Sequence, residues 1–176
     1  GLLYRPQIIT RQNKNSSSTI KIDGLELVSF GAFYQKKISL ADLHIEVFKS
    51  SAKTFEELDF SQNRFNTSVT KSYRHYDFGL GMSLWNGSTY KVEDSSIQEQ
   101  RETSLSLMAI TKVHLSNFEI IGKLYGLGQS GVELSVYRKL SFLGRGYSLG
   151  LGLEALDISE STSQKSLYLS ISTSFR

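Results

Sequence analysis

The feature that most constrains this chain is strict alternation. In "SLYLSISTSFR" (166–176), Leu167, Leu169, Ile171, Thr173 and Phe175 take one side of an extended backbone, while Ser166, Tyr168, Ser170, Ser172 and Ser174 take the other. Strand side chains repeat every two residues, so the pattern predicts a strand with one apolar and one polar face. Five more segments repeat it, and their apolar sides are Tyr147–Leu149–Leu151–Leu153–Ala155, Thr103–Leu105–Leu107–Ala109–Thr111–Val113–Leu115, Phe78–Leu80–Met82–Leu84, Ala41–Leu43–Ile45–Val47 and Val132–Leu134–Val136. None of the six apolar sides carries a charge.

Four further segments carry the pattern less cleanly. Residues 118–128 align Phe118, Ile120 and Leu124. Residues 20–34 align Ile20, Ile22, Val28, Phe30, Ala32 and Tyr34 at the cost of Glu26. Residues 64–73 are mostly polar around Phe65 and Val69. Residues 2–10 align Leu2, Tyr4, Pro6 and Ile8, although Pro6 has no N–H for a ladder. Including all of these gives ten strands; omitting the first two gives eight.

The connections differ by end. Short ones are expected near 35–39, 73–77, 115–117 and 142–146. Longer polar ones are expected near 12–18, 50–63, 86–101 and 157–164, with a short link at 128–131 as the exception. Short turns at one end and long loops at the other suit an antiparallel up-and-down barrel in a membrane, and an even strand number returns both termini to the short-turn end. Aromatics flank the short turns, and Tyr34, Tyr76, Phe118, Tyr147 and Phe175 are the candidate interface girdle.

Composition supports strands and excludes other classes. The 176 residues suffice for one domain over 1–176, with 14 Gly, one Pro, 10 Phe and 9 Tyr favouring strands and turns. No run approaches the roughly 18 apolar residues of a membrane helix, a test to which alternating barrel strands are invisible. There is no Cys, hence no disulfide framework and no thiolate zinc site. A net charge of +3 with scattered Lys and Arg does not suggest nucleic acid. The sequence begins at Gly1 without a charged-then-apolar leader, so any signal sequence is expected to have been removed.

What the apolar sides touch decides function. A soluble sandwich or calycin-like barrel also has one apolar face per strand, but its other face is rich in Lys and Glu. Here the polar sides are mostly Ser, Gly and Tyr, which suits a narrow, crowded lumen. With Phe175 preceded by Ile171, Leu169 and Leu167, the ending resembles that of bacterial outer-membrane β-barrel proteins, whose last strand closes on an aromatic after alternating apolar residues; Arg176 departs from that pattern. The resemblance is to the class and runs over most of the chain. It implies a Gram-negative outer membrane, contact with outer-membrane lipid, and recognition by the barrel-assembly machinery.

Few residues suggest chemistry. Asp42, His44 and Glu46 share one strand face, a pattern compatible with a metal cluster or an acid–base group but more simply explained as lumenal polarity. Lys112, His114, Glu119, Lys123, Glu133 and Glu154 complete the expected lumenal network, whose opposite charges should pair and fill the barrel. "HLSN" (114–117) puts His114 and Ser116 on one face, as nucleophilic hydrolysis needs. It resembles part of a motif of outer-membrane lipid A deacylases, with Glu119 or Glu133 as orienting acid. The four-residue match, the acid spacing and a further hairpin downstream depart from it. The "NSS", "NTS" and "NGS" stretches at 15–17, 66–68 and 86–88 read as loop residues in a bacterial protein.

The expectation is therefore an all-β, antiparallel transmembrane barrel of 8–10 strands, non-enzymatic, without cofactor or metal. It is expected to act as a structural, anchoring or partner-binding protein toward other envelope proteins. A narrow, porin-like channel for ions or small solutes is the alternative, since a ten-stranded barrel lined by Ser and Gly could leave a gap. A lipid hydrolase is the third possibility.

Overall fold

The computed structural model describes residues 1–14, 19–53, 59–93, 96–142, 145–159 and 162–174. Ten strands run in chain order: β1 (Leu2–Lys14), β2 (Thr19–Ile38), β3 (Ala41–Lys53), β4 (Asp59–Ser72), β5 (Tyr76–Glu93), β6 (Ser96–Leu115), β7 (Phe118–Gly126), β8 (Ser130–Phe142), β9 (Arg145–Asp157) and β10 (Thr162–Ser174). Each pairs antiparallel with its chain neighbours, and β1 closes on β10, giving an up-and-down barrel with no free sheet edge around its circumference. Closure lets every strand find partners inside the wall, as a spanning structure in hydrocarbon requires.

The alternating sets sort cleanly. On β10, Ser166, Tyr168 and Ser170 are buried inside, while Leu167 and Ile171 are exposed outside. The outer face carries exposed Leu80 (70%), Leu124 (60%), Leu134, Leu151 (61%) and Leu153. Opposed rungs are apolar together, as in Leu167–Leu153–Leu134 and Leu84–Leu105. Tyr76 through Leu84 on β5 covers nine residues, close to the roughly 9–11 a tilted transmembrane strand needs. Exposed cations bound this belt, with Lys49, Arg101 and Lys165 toward the loop end and Lys36, Lys71 and Arg138 toward the short turns.

Two sequence difficulties resolve physically. Pro6 opposes Val28 of β2, and on the β10 side the ladder skips Arg5 and Pro6 between Tyr4–Ile171 and Gln7–Tyr168, so its missing N–H falls in a gap. The β1–β2 register shifts between Ile9 and Arg11, and Glu26 lies exposed opposite Ile8. The eight-strand count fails because the two N-terminal segments are full strands.

The expected long loops are shorter than their composition suggests. β5 reaches Glu93 and β6 starts at Ser96, so most of 86–101 is paired ribbon. β3 and β4 likewise take up most of 50–63. Residues 66–68 and 86–88, read as loops, belong to β4 and β5. Backbone ladders continue through polar side chains, which a hydropathy pattern does not register. Residues 15–17 lie outside the described residues. The β7–β8 connection is tight, with Leu127 at φ 59° and Gly128 at φ 120°. A Cβ at Gly128 would fall 1.8 Å from the Leu105 carbonyl oxygen, so only glycine fits there.

Candidate functional site

The lumen divides into a sealed half toward the loops and an open half toward the short turns. In the sealed half Arg11 of β1 reaches across to the far wall. Its guanidinium donates to the Ser88 carbonyl (2.5 Å), the Gln62 side-chain oxygen (3.2 Å) and the Gln164 side-chain oxygen (2.5 Å). It also lies over the Phe60 ring at 4.0 Å. The Trp85 indole N–H donates to the same Gln62 oxygen at 3.1 Å. Two apolar clusters pack beside this network, Ile9, Leu27 and Phe60 in one, and Trp85, Tyr125, Leu156 and Ile158 in the other, which extends through Met108 and Ile110 to the wall of the open half.

A charged layer forms the floor of the open half. Arg64 of β4 makes a forked ion pair with Glu154 of β9 across the barrel, and Ser166 donates to Glu154 at 3.2 Å. Glu133 accepts from Lys123 (3.0 Å), Tyr125 (2.8 Å) and Tyr168 (2.5 Å). Arg5 lies 3.6 Å from Glu46, whose carboxylate also accepts from Asn66 at 3.0 Å, and over the Tyr168 ring at 4.3 Å. Buried charges are tolerable only when paired in this way. Close packing shows at Gly152, where an added Cβ would fall 2.2 Å from a Tyr168 ring held between Arg5 and Glu133. Gly152→Val is expected to cost about 1–3 kcal/mol of unfolding free energy by overpacking. Gly126→Ala, where a Cβ meets nothing within 4 Å, should change it by less than about 0.5 kcal/mol. Urea unfolding in detergent checks both.

Above this floor a cavity of about 1160 Å³ reaches the short-turn end. Asp42, His44, Glu46, Lys112, His114, Glu119 and Lys123 line it, while Glu133 and Glu154 are buried in the floor. Asp42, His44 and Glu46 do not converge on one point. Asp42 accepts from Ser72 at 3.4 Å, His44 stacks on Phe33, and Glu46 turns to Arg5 and Asn66. His114 sits between two carboxylates, with Nε2 3.1 Å from Asp77 and Nδ1 3.2 Å from Glu119. Both ring nitrogens are thus engaged, and among the described residues no hydrogen bond joins His114 to Ser116.

At the short-turn rim, Tyr34, Tyr76 and Phe118 are exposed outward. Tyr73 stacks on Tyr76 at 5.2 Å, and Arg138 lies over Phe118 at 5.9 Å. Tyr147 is half-buried and borders the cavity mouth rather than standing fully exposed with the other rim aromatics. Phe175 lies outside the described residues. Sequence reasoning did not single out Arg5, Arg64, Tyr125 and Tyr168, which partner the buried acids, or Arg11, which binds Ser88, Gln62 and Gln164; inward parity on their strands was the available signal.

No family model matches the chain, and no curated protein matches it. Among solved structures it is similar to Neisserial surface protein A (10% identity, 99% of this chain and 97% of that one, TM-score 0.40). It is also similar to Ail, the attachment invasion locus protein of Yersinia pestis (8%, 99% and 97%, TM-score 0.47), and to the N-terminal β-barrel domain of Pseudomonas aeruginosa OprF (8%, 96% and 96%, TM-score 0.39). Likenesses this distant leave the architecture to rest on the chain's own ladder and outer face. By its closed ten-strand ladder and its apolar outer belt, the chain has the architecture of bacterial outer-membrane β-barrels.

Proposed function

We propose that this protein is an outer-membrane barrel of non-enzymatic kind, an anchor or partner-binding element rather than a pore. The observation that carries the reading is the pair of arginines that cross the lumen, Arg11 to Ser88 on β5 and Gln62 on β4, and Arg64 to Glu154 on β9. Water and ions passing through would have to displace paired charges and two apolar clusters at once. The element on which the partner-binding reading rests is the β5–β6 ribbon at the loop end. There β5 and β6 pair with each other up to Glu93–Ser96, beyond the rungs that tie them to β4 (Gln62–Gly87) and β7 (Leu107–Gly126). The outer belt supports contact with outer-membrane lipid, and assembly by the barrel-assembly machinery accords with the architecture. The engaged nitrogens of His114 argue against a hydrolytic role. Planar-bilayer recording tests the sealed lumen: the expected trace shows no current above leak, and sustained unitary steps would overturn the reading in favour of a channel.

A further inference from the structure

In the open half of the lumen one lysine stands apart from the acids around it. Across the β5–β6 ladder Lys112 stands directly opposite Asp77, its natural partner. The Asp77 carboxylate instead engages His114 at 3.1 Å. Glu119 is held by His114 at 3.2 Å and by Lys139 at 3.3 Å, and Glu46 by Arg5 and Asn66. Lys123, the other lysine on this wall, is matched by Glu133 at 3.0 Å. Asp42 faces Ser72. Lys112 is therefore left half-buried in the cavity wall with no carboxylate within ion-pair distance among the described residues.

Its surroundings narrow the chemistry that would satisfy it. Ile121 opposes Lys112 on β7, Ile110 lies two residues away on the same inward face, and both belong to the apolar cluster around Met108 and Trp85. Tyr137 lines the same cavity. An unmatched ammonium in a confined space attracts an anion more strongly than one at an open surface. The adjoining apolar wall favours an anion with a hydrocarbon body over a fully hydrated one.

We propose that this cavity is a binding site for a small amphipathic carboxylate, entering from the short-turn end, with its carboxylate on the Lys112 ammonium and its apolar body against Ile110 and Ile121. The site holds its ligand without passing it on, because the charged floor closes the lumen beneath it.

The test uses the folded full chain in bilayer nanodiscs, titrated with 2-naphthoate and followed by the methyl resonances of Ile110 and Ile121. Saturable shifts at both are expected. Lys112→Gln should weaken binding about tenfold while Lys112→Arg retains it, since a charge-assisted contact is worth about that factor. Lys165→Gln, at an exposed lysine on the outer face toward the loop end, should leave it unchanged. Unaltered resonances of the buried Leu27 and Leu156 methyls show that the Lys112→Gln barrel is folded. Equal binding of the neutral 2-naphthylmethanol, or undiminished binding by Lys112→Gln, would overturn the proposal by showing apolar partition alone. Binding of inorganic phosphate as tight as naphthoate would overturn the assigned ligand class. Shifts confined to outward methyls such as Leu107 and Val113 would locate the probe in the lipid and overturn the site.

Discussion

Replacing Arg64 with alanine is expected to lower the unfolding free energy by about 3–5 kcal/mol, because it strands Glu154 in the lumen without its cation. Both side chains are almost wholly removed from solvent, at 2% and 4% exposure. The only remaining polar partner of Glu154 among those described is Ser166, a single neutral donor. A double variant, Arg64→Leu with Glu154→Leu, should recover most of the loss, since removing both members of a buried pair is often close to neutral. Reversible urea unfolding in detergent, read as a midpoint shift at unchanged slope, measures both. A single-variant cost below about 1 kcal/mol would mean that the pair is hydrated, as surface pairs are, and that the lumen is more open than its packing indicates.

The second large effect lies on the outside of the same wall. Leu80 is 70% exposed near the middle of the belt on β5. At an exposed position in water, Leu→Arg would change stability by less than about 0.5 kcal/mol. In a bilayer the same change near the midplane is expected to cost about 2–4 kcal/mol, falling to about 0–1 near the interfaces. Lys49→Arg at the belt's loop-side margin is the matched control, with no measurable effect expected. Folding the variants into lipid vesicles and comparing unfolding free energies gives the depth dependence directly. Equal tolerance at Leu80 and Lys49 would favour the soluble calycin-like barrel that the alternation alone does not exclude.

These two effects also mark what the sequence makes legible. Alternation reports which side of the wall a residue takes, and the outward sets Leu167–Leu169–Ile171 and Leu149–Leu151–Leu153 follow from period two alone. It does not report where strands stop. Polar residues of β5 and β6 pair rung for rung out to Glu93 and Ser96, with no change in composition that a loop would not share. Nor does it report which inward residues meet. Glu154 and Arg64 lie 90 residues apart on β9 and β4, and their contact depends on the relative stagger of strands around the closed barrel. Glu133 and Glu154 are recognisable as lumenal by parity, while their partners Arg64 and Tyr168 follow only from closure. His114 illustrates the same limit. Its position beside Ser116 suggests a nucleophile–base pair, but Asp77 from β5 and Glu119 from β7 claim both ring nitrogens.

The central claim is that one face of the barrel wall meets lipid and the other the lumen. Methyl-to-lipid nuclear Overhauser contacts in bilayer nanodiscs test it most directly, because they reach only about one side chain's length. Strong cross-peaks to acyl chains are predicted from Leu80, Leu134, Leu151 and Leu167, and none from the buried Ile9, Leu27 and Leu156. Acyl-chain contacts from Leu27 or Leu156, or water contacts in place of lipid at Leu80 and Leu151, would contradict the account.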